Sequence, residues 1–224
     1  MGNIFSSSIG KKLVMSISGL FLITFLSLHL FLNSLLLVSA DAFNMAANFM
    51  STNPLIRIME PVLALGFIIH IVYATLLTLK NQTARPIGYQ NVDQRMASTW
   101  SSRNMYVLGF ALLSFLVMHM ANFFWKIKFG TVPSVMVDGI EMHDTYTLVT
   151  SLFLTYKWIN GVYLAGALAL GFHLSHGFWS AFQTIGWNNT VWMSRLKFVS
   201  YLFAIILAGG YSVISLYFWF FASL

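Results

Sequence analysis

Five stretches of the chain, residues 13–38, 56–79, 105–125, 159–182 and 196–221, are apolar for about 20 residues or more, the length at which a helix crosses the ~30 Å hydrocarbon core of a bilayer. Lipid offers backbone N–H and C=O groups no partner, so such runs cross as helices that satisfy their own hydrogen bonds. Composition agrees: 58% of residues are hydrophobic, 17% aromatic and only 8% charged, which is outside the range of water-soluble domains. The expectation is an all-α integral membrane protein with five transmembrane helices, a single domain over residues 1–224.

Lys11 and Lys12 precede the first run, and Val38, Ser39 and Ala40 close it with small residues, as a secretory signal would. Its apolar part far exceeds the roughly 7 to 15 residues of a signal peptide, so it is read as a permanent helix. With the N-terminus in the cytoplasm, eight cations fall inside (Lys11, Lys12, Lys80, Arg85, Arg95, Arg103, Arg195 and Lys197), with Asp93 as their only acid. Four cations fall outside (Arg57, Lys126, Lys128 and Lys157), among Asp41, Glu60, Asp138, Glu141 and Asp144. That is the positive-inside pattern. The net charge of +6 is then topology and no sign of nucleic-acid binding, and the expected place is the cell inner (cytoplasmic) membrane.

The chain has no cysteine, which excludes disulfides, iron–sulfur clusters and c-type haem attachment within it. The inner loop NQTARPIGYQNVDQR, residues 81–95, is polar and punctuated by Pro86 and Gly88, a surface suited to a cytoplasmic partner. The outer segment, residues 126–157, is the longest connection and carries His143. No internal repeat, phosphate-binding glycine loop or low-complexity tract is present.

Histidine is the informative residue inside the runs. At ~1.5 Å per residue from the inner boundary, His29 stands ~22 Å up and His119 ~24 Å, whereas His70 stands ~15 Å and His173 ~16 Å. Four histidines on four helices thus sort into two levels. Ionisable groups in lipid are costly and usually functional. A lone histidine can be satisfied by a neighbouring helix, but two matched pairs suit bis-histidine haem ligation, in which iron takes one axial nitrogen from each side. Zinc or copper would need further carboxylate or thiolate ligands, and no acid lies within a helix core. Gly19 and Gly109 each fall ten residues before His29 and His119, and Gly66 and Gly177 lie four residues from His70 and His173; these offsets suit clearance for a macrocycle. The expectation is two b haems in a bundle of the first four helices.

The stretches SGLFLITFLSLHLFLN around His29, EPVLALGFIIHIVYATLLTLKNQTARPIGY around His70, and HLSHGFWSAFQTIGW from His173 resemble the di-haem cytochrome b membrane anchor of succinate:quinone oxidoreductases and quinol:fumarate reductases. The resemblance spans essentially the whole chain. It implies axial ligands His29, His70, His119 and His173, the last chosen over His176 because a glycine, Gly177, follows it by four residues. It further implies electron transfer between a membrane quinone, menaquinone by likeness to the single-chain branch, and flavoprotein and iron–sulfur subunits on the cytoplasmic side. Where some members carry a glutamate two residues before the fourth ligand, this chain has Gly171, which argues against that proton path. The direction, succinate oxidation or fumarate reduction, is open.

A quinone needs a hydrogen-bonding group beside an apolar slot. Glu60 is the outer candidate, with a helix N-terminal charge as its plain alternative. Ser16, Ser18, Trp100, Arg103, His176 and Gln183 are inner candidates for a haem propionate or quinone, Arg103 foremost because a guanidinium pairs bidentately with carboxylate. Other readings are a cytochrome b of a hydrogenase or formate dehydrogenase, a histidine-lined transporter, and a haem-free anchoring protein.

Overall fold

The computed structural model describes residues 7–83 and 98–222. Arg85, Asp93, Arg95 and most of the inner loop lie outside the described residues. Nine α-helical segments among them are α1 (Ser8–Ser34), α2 (Ala40–Thr52), α3 (Pro54–Thr83), α4 (Trp100–Arg103), α5 (Met105–His119), α6 (Trp125–Phe129), α7 (Thr145–Thr155), α8 (Lys157–Ile185) and α9 (Thr190–Phe220). A π-helical turn, Met120–Phe124, joins α5 to α6 as one rod. The apolar runs become α1, α3, the α5–α6 rod, α8 and α9.

Four of these are long and apolar enough to cross a membrane: Ile9–Leu37, Pro54–Thr83, Met105–Phe129 and Thr190–Phe220. The fifth, α8, is 29 residues long but diluted by His173, His176, serines and glycines. Helix starts are set by side chains accepting the first free N–H groups: Ser7 Oγ from Gly10 at 3.0 Å and Asn189 Oδ1 from Trp192 at 2.9 Å. α8 ends on Gly186, whose φ of 106° is the left-handed geometry glycine adopts without penalty.

α8 and α9 form the tightest pair, and α1 packs on α3 and α8, as does α5 on α8. Small residues permit the closest approach. A Cβ on Gly171 would stand 2.8 Å from Ala208 Cβ, so a glutamate there is incompatible with the observed α8–α9 contact. Ser200 Oγ donates to the Leu174 and Ser175 carbonyls at 3.0 Å each, and Tyr211 OH donates to Leu26 O at 2.9 Å. These bonds tie α9 to α8 and to α1.

Residues 126–157, read from the sequence as the longest connection, hold regular structure. An antiparallel hairpin, β1 (Ser134–Val137) with β2 (Ile140–His143), turns on Asp138 and Gly139, both at positive φ. With α2 and α7 it caps one end of the bundle. Leu36, Phe43, Val149, Phe153, Ile159, Ile214 and Phe218 form a shared core there. Buried Asn44 locks the cap, donating to Asp144 Oδ1 at 3.1 Å and accepting from the Tyr146 N–H at 2.8 Å. These elements escaped the sequence reading because each is too short to show a hydropathy period of its own.

Candidate functional site

The helices bring the four histidines together as two pairs across the diagonals of a bundle made by α1, α3, α5 and α8. His29 on α1 faces His119 at the end of α5, with ring centroids 5.7 Å apart and planes at 87°. His70 on α3 faces His173 on α8 at 6.4 Å and 67°. An iron bound from both sides by imidazole nitrogens at about 2 Å, each nitrogen ~1 Å from its ring centre, holds opposed ring centres roughly 6 Å apart. Both pairs are spaced for such a ligation. Among the described residues no group of three or more His, Cys, Asp or Glu is placed to hold a metal ion. His119 and His173 each keep a buried Nδ1 with no protein partner.

His70 differs from them. Ser18 Oγ lies 3.3 Å from His70 Nδ1 and donates its single hydrogen to Met15 O at 3.0 Å. With that hydrogen given to Met15 O, the oxygen is available to accept from Nδ1–H in the tautomer that leaves Nε2 bare. Around the other pair lies an aromatic shell. Phe25 stacks on His29 at 5.2 Å, while Phe115, Phe123 and Tyr163 meet His119 at 5.7, 5.3 and 5.9 Å. Tyr211 meets His29 at 6.2 Å. The sequence reading missed this shell, although Phe25, Phe115 and Phe123 sit four residues from their histidines, the spacing of side-chain neighbours on a helix.

The chain is 28% identical over 185 residues to the succinate dehydrogenase cytochrome b558 subunit of Bacillus subtilis (strain 168), covering 81% of each chain. The match supports the membrane-anchor cytochrome b subunit family. No family model matches, and no solved structure matches. The stretch HLSHGFWSAFQTIGW has a structural basis. A Cβ at Gly177 would stand 3.2 Å from Met105 Cε, so glycine admits α5 beside His173. Gly186 and Trp187 then stop the helix through N–H bonds to Gln183 O and Phe182 O.

The remaining glycines divide differently from their sequence offsets. A Cβ on Gly19 would lie 3.3 Å from His70 Cε1 and one on Gly109 3.9 Å from His173 Cε1. Both therefore serve the His70–His173 level, although they were counted from His29 and His119. Gly66 instead admits the Phe21 ring, 2.8 Å from the Cβ position.

The other candidate residues scatter. Ser16 is buried, as is Ser18. His176 keeps a buried Nδ1 without a partner and meets Trp179 edge-on at 4.8 Å; Lys197 Nζ lies 5.1 Å over that same Trp179 ring. Trp100 is exposed against Phe172 at 5.4 Å, Arg103 Nη1 donates to Ser98 O, and Gln183 is exposed. Glu60 is engaged by Lys128, whose Nζ stands 2.7 Å from Oε2 and 2.9 Å from Oε1. His143 is exposed on β2, opposite Ser134.

Proposed function

We propose that this chain is the membrane-anchor cytochrome b subunit of a succinate dehydrogenase or fumarate reductase complex, with five spans, the N-terminus in the cytoplasm and two b haems. His29 and His119 would hold one haem, and His70 and His173 the other. The observation that carries this reading is the pair of opposed histidine sets, each at bis-imidazole spacing. The likeness to the Bacillus subtilis subunit supports the complex to which it belongs.

When bound, each b haem supplies a one-electron carrier within the apolar bundle. The chain's residues hold and insulate it. Opposed imidazoles set the axis, Ser18 keeps His70 in the tautomer that presents Nε2, and Phe25, Phe115, Phe123, Tyr163 and Tyr211 exclude water around His29 and His119. The two levels would divide the path between a membrane quinone, menaquinone in this reading, and the flavoprotein and iron–sulfur partners on the cytoplasmic side. Glu60 is the outer quinone candidate; Ser16, Ser18, Trp100, Arg103, His176 and Gln183 are inner candidates for propionate or quinone.

Pyridine haemochrome analysis of the purified chain tests the core of the proposal. Two b haems per chain are expected; one or none overturns the two-level reading. Co-purification with flavoprotein and iron–sulfur subunits separates it from a cytochrome b of a hydrogenase or formate dehydrogenase.

A further inference from the structure

The four sides of the histidine bundle are not closed alike. α1 packs closely on α3 and on α8, α5 packs on α8, and α9 covers α8 and α1; α3 and α5 approach each other least. The most hydropathic windows of α1 and α9 are 17% and 33% buried, those of α3 and the α5–α6 rod only 0% and 6%. The α3–α5 side is therefore the least packed of the four. In sequence, the residues between α3 and α5 join these helices at one end only. At the other end α3 leads back to α2 and the α5–α6 rod leads on to the hairpin, so the two are joined there through the packing of α2 on β2 in the cap and not by a direct chain link.

That capped end is where Glu60 of α3 meets Lys128 of α6, both side chains about one third exposed (33% and 35%). Each helix also carries a local break beside the contact. Pro61 follows Glu60 within α3, and a proline inside a helix removes one backbone hydrogen bond and bends it. The π-turn Met120–Phe124 precedes Lys128, and such turns mark places where a helix yields. A rigid macrocycle cannot pass between helices whose side-chain ridges interlock. It needs a side that opens.

We infer that the α3–α5 seam is the lateral opening through which haem moves from lipid into the bundle, and that the Glu60–Lys128 ion pair is the clasp holding that opening shut. This rests on the two-haem reading above. The clasp acts on the rate of passage and not on ligation, since neither residue belongs to the histidine pairs. Exposed ion pairs are individually weak, so the expected effects are modest for charge removal and large for a covalent tether.

Haem loss is followed spectrally as transfer from the full-length holoprotein in detergent to excess soluble apo-globin. Lys128→Gln is expected to lose haem about two- to five-fold faster, and the reversed pair, Glu60→Lys with Lys128→Glu, to return toward the parent rate. Because the chain has no cysteine, Glu60→Cys with Lys128→Cys can be bridged by a short thiol-specific linker. The bridged protein is expected to lose haem at least about tenfold more slowly than its unbridged form, a comparison that holds even if Lys128→Gln fails to fold. Equal rates in bridged and unbridged protein overturn the clasp while leaving the two-haem reading intact. A chain that purifies without any b-type spectrum overturns both.

Discussion

His173 and His176 stand three residues apart on α8, about 60° around the helix from each other, and only His173 faces His70. Replacing His173 with alanine is expected to remove the haem of that level from the reduced-minus-oxidised spectrum and leave the other. Replacing His176, which packs on Trp179, should leave both. The reverse pattern would move the ligand by one turn. Ser18 provides a finer test. Its loss in Ser18→Ala removes one hydrogen bond of roughly 0.5–1.5 kcal/mol from the His70 ring, so the imidazole gives less electron density to iron. Redox titration should find that one haem's midpoint raised by about 20–65 mV, since ~59 mV corresponds to a tenfold change for one electron. An unmoved midpoint would reduce Ser18 to a packing residue.

Between elements, close helix contact depends on a few missing side-chain atoms. The Gly171 Cβ position lies 2.8 Å from Ala208 Cβ, nearer than two carbons tolerate. Gly171→Ala is expected to cost about 1–3 kcal/mol through overpacking, read as a lower Tm in detergent, and Ala208→Gly in the same chain should recover part of it. Equal stability of the single and double variants would show that α8 and α9 separate without cost. Glycine frequency alone could not have identified Gly171 in this role, because glycine is common in membrane helices. The offsets of Gly19 and Gly109 were visible, but their partners were not, since a position on one helix meets whichever level of its neighbour stands opposite.

At the scale of the molecule, the cap and the bundle meet through Asn44, Asp144 and the shared apolar core. Partial burial pushes the Asp144 carboxyl up, but hydrogen bonds from Thr147 and Asn44 outweigh it and hold the group below its ordinary 3.8. A depressed folded-state value stabilises the cap above about 3.8 and loses that contribution as pH falls through the folded value. The protection factors of the Tyr146 and Thr147 amides, exchange corrected for its intrinsic pH dependence, should therefore fall in acid below 3.8. In Asp144→Asn they should be lower at neutral pH and insensitive to that drop. Acid-independent protection factors in the parent would disprove the latch.

Hydropathy determined the long helices without help, because a bilayer demands about 20 apolar residues and internally satisfied backbone of anything that crosses it. Rise per residue likewise placed His29 with His119 and His70 with His173, since depth along a straight helix is arithmetic. Only tertiary structure decided what depth cannot express: which rings face each other, that Ser18 reaches His70, that Glu60 is held by Lys128, and that α2, α7 and the hairpin fold into a cap. Those depend on helix rotation and on contacts far apart in the chain, as with Asn44 and Asp144. Packing sets helix rotation, and packing exists only once the neighbours are in place.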